Sequence, residues 1–251
     1  MNPAFFAKIE RHSSNPPNFS IKKYIKRYNE KEIETVNKIK KIPRYFCFFA
    51  PFIKHSFLQV PDKYVVLYQE ELIPFYDFFQ NIHGKEKKMH IQSSFLHIVK
   101  AFQVLRDHDI LYGNYGKIGF NRQNQPILYE FERNIVDLQY FPVEMHVIAL
   151  LQRESCSSLS LTNIDAILET FSDKSPSAPS FLRELINKPK QQIIDALWKY
   201  RYTWDNYALS MLYLNFDETE RESALTTILL QALAFIPEER PSHEDILLTL
   251  L

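Results

Sequence analysis

Two stretches decide the fold of this chain, Ile110-Leu111-Tyr112-Gly113-Asn114 and Pro126-Ile127-Leu128-Tyr129-Glu130-Phe131-Glu132. Gly113, Gly116 and Gly119, at or between these stretches, are three of only four glycines in 251 residues. Glycine tolerates torsions and close backbone contacts that other residues do not, so we expect the most constrained backbone here. No glycine precedes position 84, which excludes a glycine-rich phosphate-binding loop from the first third of the chain.

Strand patterns dominate the sequence before residue 72. The β-branched and aromatic run Lys63–Tyr68 predicts a buried strand, residues 45–60 predict one or two more, and residues 19–22 alternate like a strand. A helix is predicted over residues 30–42, because Ile33, Val36 and Ile39 recur on one face and Pro43 stops it.

Helix patterns dominate after residue 72. The apolar stripe from Ile91 to Leu105 predicts one long helix, and Pro126–Tyr129 predicts a short strand. A small strand-rich part followed by a larger helical part is an α+β fold. Six further helices are predicted over residues 143–152, 161–171, 181–200, 204–214, 223–236 and 242–251.

The overall composition excludes several classes of function. Thirty basic and thirty acidic residues cancel, so we expect neither a nucleic-acid partner nor electrostatic attachment to a membrane. The basic segment 22–44 also carries glutamates, and it predicts a solvated helix face. Cys47 and Cys156 show no metal or disulfide spacing, and no signal peptide or apolar run of about 20 residues is present, which predicts a cytoplasmic protein without membrane insertion.

Several segments, taken in order, resemble the signature segments of protein kinases. The stretch at residues 110–114 resembles the catalytic loop, residues 117–120 the strand after it, and residues 126–132 the Asp-Phe-Gly segment. Pro142-Val143-Glu144 resembles the Ala-Pro-Glu end of the activation segment. Further matches are residues 204–210, which resemble the helix that braces the catalytic loop, residues 235–242, which resemble Asp-Pro-x-x-Arg-Pro-Ser, and residues 19–22, which resemble Val-Ala-Ile-Lys.

The resemblance implies a bilobal protein-kinase-like fold over residues 19–251. It places a reduced, β-rich N-lobe at residues 1–71, with an arm at 1–18, and a helical C-lobe at residues 72–251. A helical insertion is expected at residues 152–202. The segments 142–147 and 203–210, which flank this insertion, are similar to kinase-like proteins of large nucleocytoplasmic DNA viruses.

The residues that phosphoryl transfer requires are missing at the matching positions. The resemblance places Asn114 where a kinase has the aspartate that orients the nucleophile, and an amide cannot accept a proton. Counting back from Glu130 puts Lys117 at the position of the magnesium-binding asparagine, and an alignment without a gap puts Gly119 there. Neither residue ligates magnesium. Glu130 keeps a carboxylate at the Asp-Phe-Gly aspartate, and Glu132 replaces the glycine.

A second alignment restores two catalytic residues. Asp109 and Asn114 have the Asp-x4-Asn spacing of an intact catalytic loop. This alignment lengthens the segment from Asp109 to Glu130 and puts Ile110 and Leu111 where the family has polar and proline residues. The chain would then be a divergent Ser/Thr kinase that uses Mg-ATP.

Structural residues of the family are retained. The resemblance implies that Asp205 accepts backbone hydrogen bonds from the loop at residues 112–114, and that Glu144 and Arg240 form a buried ion pair. Tyr112 and Phe131, with Val36, are expected to stack into a hydrophobic spine. Lys22 and Glu32 are predicted either to pair as a remnant of the nucleotide site or to form a surface ion pair.

Other clusters favour structural roles. His90 and His97 share a predicted helix face without acidic or cysteine partners at ligand spacing, so we expect no metal site. The serines around Cys156 predict a loop and a helix cap. The aromatic cluster at residues 45–57 is predicted to lie mainly in the core, with an exposed docking patch as the alternative.

These residues together predict a pseudokinase that acts as a scaffold or assembly component. No cofactor is expected, and Mg-ATP enters only if the chain is the divergent kinase or a nucleotide-binding switch that does not hydrolyse ATP. The predicted partners are proteins, and for a viral chain they would be assembly or host proteins in the host cytoplasm or virion. The insertion 152–202 is the predicted partner surface, because it is additional to the minimal fold.

Overall fold

A computed structural model describes residues 6–8, 22–27, 29–51, 54–57, 63–68, 72–131, 140–153, 158–171, 180–216 and 223–251. The chain divides into two compact units, Met1–Asn134 and Ile135–Leu251. The predicted lobe boundary between residues 71 and 72, and the bilobal arrangement itself, remain predictions.

Eight described strands lie in the first unit. They are β1 (Phe6–Lys8), β2 (Lys22–Arg27), β3 (Phe49–Ala50), β4 (Lys54–Phe57), β5 (Lys63–Tyr68), β6 (Ile73–Pro74), β7 (Ile118–Phe120) and β8 (Pro126–Tyr129). One antiparallel sheet has the order β1-β2-β5-β4, with Lys22 opposite Tyr68. The other has the order β3-β8-β7-β6, in which β3 pairs parallel to β8 with Phe49 opposite Leu128.

Three described helices complete the first unit, namely α1 (Glu30–Ile39), α2 (Phe75–Gln80) and α3 (Gly84–Asp107). The side chain of Asn29 caps α1 by accepting a hydrogen bond from the Glu32 backbone N–H at 3.2 Å. The ring of Phe78 in α2 stacks on Phe120 of β7 with the centroids 3.6 Å apart. The stripe predicted from Ile91 to Leu105 is the buried face of α3.

The second unit is helical in its described part. Its helices are α4 (Val143–Arg153), α5 (Leu161–Glu169), α6 (Ser180–Arg183), α7 (Lys190–Trp198), α8 (Arg201–Leu214), α9 (Ala224–Ala232) and α10 (His243–Leu250). Serine side chains cap three of them, since Ser160, Ser223 and Ser242 each accept a hydrogen bond from the backbone N–H three residues on. The buried core of this unit centres on α8, where Trp204 and Tyr213 are fully enclosed.

Most predicted elements are present, and a few differ for identifiable reasons. The predicted helix at 181–200 is wrong as a single element, because Asn187 has a positive φ of 60° and Pro189 lies at the N-cap of α7. Bridges join Leu159 to Ile186 and Ser158 to Pro189 in place of helix. The helix cap predicted near Cys156 is confirmed at Ser160, which forms a capping box with Asn163.

The aromatic cluster at residues 45–57 divides between core and surface. Phe49 is buried, while Phe46 is 68% exposed on the 3-10 turn Tyr45–Cys47. Phe52 and the side chain of Phe57 lie outside the described residues. No helix within the described ranges is long and apolar enough to cross a membrane.

His97 on α3 anchors the segment that follows α1. Its Nε2 lies 3.0 Å from the carbonyl oxygen of Cys47, and its ring packs 4.8 Å from that of Phe48. Burial lowers the pKa of His97, and the nearby Lys100 lowers it further, against the opposing effect of the hydrogen bond to Cys47. The neutral ring therefore carries its proton on Nε2 and donates it to the carbonyl.

Candidate functional site

The side chain of Asn114 holds the backbone at Glu130. Its Nδ2 donates a hydrogen bond to the carbonyl oxygen of Glu130 at 2.9 Å. Glu130 has a positive φ of 54°, a conformation that is unfavourable for a residue with a side chain. The hydrogen bond therefore stabilises a strained backbone turn, which is a structural use of the amide at this position.

Lys117 forms an ion pair with the side chain of Glu130. The Nζ atom lies 3.3 Å from Oε2, and the side chains of Lys117 and Glu130 are 40% and 11% exposed. Lys117 is the last residue of the 3-10 turn Tyr115–Lys117. Its backbone N–H donates a hydrogen bond to the carbonyl oxygen of Asn114 at 3.0 Å. Nζ also lies 5.9 Å from the ring centroid of Tyr129.

Gly119, the other candidate for the magnesium-asparagine position, has a packing role. A Cβ atom placed there would lie 2.8 Å from Cβ of Leu72 and 3.1 Å from the carbonyl oxygen of Ile73. Only glycine lets β7 approach β6 this closely. The geometry thus associates Lys117, rather than Gly119, with Glu130.

Tyr112 links the loop to strand β8. Its hydroxyl donates to the carbonyl oxygens of Lys117 at 2.6 Å and Tyr129 at 2.9 Å. Its ring makes an edge-to-face contact with Phe131 at 5.6 Å, and Phe131 makes another with Phe49 at 6.0 Å. The predicted contact between Tyr112 and Phe131 is present. Phe49 was not predicted to join it, because strand β3 gives no sequence signal of its pairing with β8.

Replacing Tyr112 by phenylalanine is expected to lower the free energy of unfolding by about 1–2 kcal/mol. The variant keeps the ring contacts with Phe131 but leaves the carbonyls of Lys117 and Tyr129 without this donor. Urea unfolding monitored by circular dichroism measures the change. A midpoint equal to that of the unaltered chain would show that the hydroxyl contributes nothing to the loop.

Asp109 caps a helix. Its φ is 54°, its backbone N–H donates to the carbonyl of Arg106 at 2.9 Å, and the N–H of Ile110 donates to the carbonyl of Leu105 at 2.9 Å. These two bonds form a Schellman motif after α3, with Asp109 as its left-handed residue. Leu105 and Ile110 are both buried, as the hydrophobic contact of this motif requires. Asp109 is itself exposed.

Glu32 is buried on the first turn of α1. It is 1% exposed and lies on the same helix face as Val36 and Ile39. The predicted solvated face is present on α1 at Lys31, Glu34 and Lys38, but Glu32 lies on the buried face, where a surface ion pair is excluded. Lys22 lies on β2 opposite Tyr68, and its side chain is outside the described part, so its pairing with Glu32 remains a prediction.

Glu144 and Arg240 form the predicted ion pair inside the second unit. Arg240 Nη1 lies 2.7 Å from Oε1 of Glu144 and Nη2 lies 3.0 Å from Oε2, with both side chains almost fully buried. Arg240 Nε donates to the carbonyl of Ala234 at 2.7 Å, and Trp204 Nε1 donates to Glu144 Oε1 at 3.2 Å. Every charged atom of the pair has a partner, as burial demands.

Asp205 is buried on α8 in the same unit. Its predicted role of accepting hydrogen bonds from the loop at residues 112–114 stays a prediction. The predicted part of Val36 in the aromatic spine also stays a prediction, although Val36 is itself buried.

The described residues around Glu130 do not fit a magnesium site. The amide nitrogen of Asn114 faces the Glu130 carbonyl, and the ammonium of Lys117 faces its carboxylate. A divalent cation needs several oxygen ligands, and here it would meet a positive charge. Across the described part of the chain, no group of three or more His, Cys, Asp or Glu side chains could hold a metal ion.

The chain has an α+β fold, and a match to a solved structure shows that this fold is kinase-like. The solved structure of the protein kinase Rad53, residues 1–466 in complex with AMP-PNP, matches with a TM-score of 0.51 and 12% identity. The match covers 96% of this chain and 64% of the Rad53 chain, so this protein spans less than two thirds of that structure. No protein-family model and no curated protein matches this sequence.

Proposed function

We propose that this chain is a pseudokinase, a protein with a kinase-like fold that binds protein partners and does not transfer phosphate. One observation carries the proposal. The three positions that resemble the catalytic centre contact one another. Asn114 donates a hydrogen bond to the Glu130 carbonyl, and Lys117 forms an ion pair with the Glu130 carboxylate. In a kinase, side chains at these positions serve the nucleophile and the metal.

The competing catalytic alignment draws less support from the geometry. It requires Asp109 to present its carboxylate to a substrate hydroxyl. Asp109 is instead the left-handed residue of the Schellman motif that ends α3. This structural role accounts for the residue without a catalytic one. Asn114, which this alignment assigns to magnesium, directs its nitrogen at the carbonyl of Glu130.

The partner surface that we propose is the insertion at residues 152–202. Its helices α5 and α7 each carry a buried stripe and one large exposed apolar residue, Leu161 and Trp198. Exposed aromatic and aliphatic side chains of this kind act as anchors in protein interfaces. The segments 142–147 and 203–210 flank this insertion and are similar to viral kinase-like proteins. This similarity favours a role in viral assembly, in the host cytoplasm or in the virion.

A phosphoryl-transfer assay tests the proposal. We expect no incorporation of radiolabelled phosphate into the chain or a generic protein substrate, and no change in melting temperature with Mg-ATP. The control variant is Asp109→Gly, which removes the carboxylate and keeps the positive φ without strain. Transfer that this variant abolishes would establish the divergent kinase. A Mg-ATP-dependent rise in melting temperature without transfer would establish the nucleotide-binding switch.

A further inference from the structure

The carboxylate of Glu130 is largely buried and needs compensation. It is 11% exposed, and a carboxylate removed from water is costly unless a cation or several donors compensate it. In a kinase the residue at this position binds a divalent cation. Here the ammonium of Lys117 lies 3.3 Å from Oε2 and supplies a positive charge.

We infer that Lys117 takes the place of the divalent cation as the partner of Glu130, so that the turn at Glu130–Phe131 is held without metal. The inference deepens the proposed function, because it explains how the site is completed in the absence of catalysis. It concerns metal binding alone, and it holds whether or not the chain binds a partner at residues 152–202.

The surrounding contacts hold the backbone of Lys117 and favour a cation at the position of its ammonium. The 3-10 turn places the backbone of Lys117 through its bond to Asn114, and the Tyr112 hydroxyl bonds to the Lys117 carbonyl. The aromatic ring of Tyr129 lies 5.9 Å from Nζ, where a cation is favoured. Because the backbone of Lys117 is already held, pairing with Glu130 restricts only its side chain.

A divalent cation is disfavoured at the same carboxylate. Bound beside Oε2, it would lie close to the ammonium, and like charges a few ångströms apart repel strongly in a partly buried site. It would also lack the oxygen of Asn114, because a nitrogen faces the turn. Replacing Lys117 by asparagine removes the repelling charge and introduces an oxygen ligand, which is the change that should open the site to metal.

Terbium luminescence tests this inference, because Tb³⁺ binds to oxygen sites of this kind and a nearby tyrosine sensitises its emission. Tyr129 is within reach, since its ring lies beside the Lys117 ammonium. We expect Lys117→Asn to bind Tb³⁺ with an apparent Kd about tenfold lower than the unaltered chain. Adding Glu130→Gln to Lys117→Asn should remove the gain. Lys117→Arg, which keeps the charge, should behave as the unaltered chain does.

Two results would overturn the inference. One is a loss of Tb³⁺ emission when Glu130→Gln is introduced alone, since it would mean that metal already binds there. The other is a Lys117→Asn variant with a native circular dichroism spectrum and no gain in emission.

A variant-free measurement covers the case in which Lys117→Asn fails to fold. The melting temperature of the unaltered chain should not rise with Mg²⁺ beyond the effect of K⁺ at equal ionic strength. A magnesium-specific rise would contradict the inference. Because neither readout involves phosphate transfer, this inference and the proposed function can fail separately.

Discussion

Arg240→Met should lower the free energy of unfolding by about 3–5 kcal/mol, the largest effect that we expect from a single substitution. The variant leaves the carboxylate of Glu144 buried without its bidentate partner, whose Nη atoms lie 2.7 and 3.0 Å from it. It also removes the donor to the Ala234 carbonyl. Urea unfolding or the melting temperature measures the loss, and expression in insoluble form would be its extreme.

A matched pair on the surface provides the control. Lys199 and Glu238 lie 3.9 Å apart with both side chains exposed, and such pairs contribute little to stability. Lys199→Met should therefore leave the melting temperature unchanged. The double variant Glu144→Leu/Arg240→Met should recover part of the stability lost in Arg240→Met, because no unpaired charge remains buried. Equal losses in Arg240→Met and Lys199→Met would contradict the assignment of the buried pair.

Local patterns were sufficient to predict most of the fold. The run Lys63–Tyr68 and the segment Pro126–Tyr129 are strands with the predicted ends, because β-branched and aromatic residues and flanking breakers mark them. The break between α6 and α7 was missed, although Pro189 lies there. Apolar residues continue with helical spacing through the break, so periodicity alone does not reveal it.

Contacts between distant strands had no local signal. β3 is two residues long, and its parallel pairing with β8 places Phe49 against Phe131. Short strands of this kind are specified by tertiary packing rather than by their own propensity. Glu32 is a related case, because its charge suggests the surface while its spacing from Val36 and Ile39 places it on the buried face.

The candidate site was predicted as a set of positions but not as a network. Sequence resemblance selected Asn114, Lys117 and Glu130, and the structure brings these three residues together. Which atoms form the hydrogen bonds could not be predicted, because an asparagine side chain carries both a donor and an acceptor. Comparison with the kinase catalytic loop shows only that a carboxylate is missing at this position. The positive φ of Glu130 is equally invisible in the sequence.

Asn114→Asp is expected to destabilise the chain by about 2–3 kcal/mol at neutral pH, although it inserts the residue type that a kinase has at this position. The substitution replaces the donor to the Glu130 carbonyl by an oxygen, so two oxygens would face each other across 2.9 Å. Urea unfolding measures the loss. It should shrink as the pH falls towards about 4, where the introduced carboxyl is protonated and can donate again.

The same chemical change elsewhere in the chain separates this effect from a general cost of aspartate. At Asn163 the side-chain oxygen accepts hydrogen bonds from the N–H and hydroxyl of Ser160 at 3.1 and 2.7 Å. Asn163→Asp preserves that acceptor at a helix N-terminus, where negative charge is favourable. The variant should therefore be as stable as the unaltered chain or slightly more stable. If Asn114→Asp were as stable as Asn163→Asp and transferred phosphate to a substrate, the amide at position 114 would be an incidental loss. We expect neither result, because restoring the carboxylate leaves the Lys117 ammonium on Glu130 and breaks the bond that holds the turn.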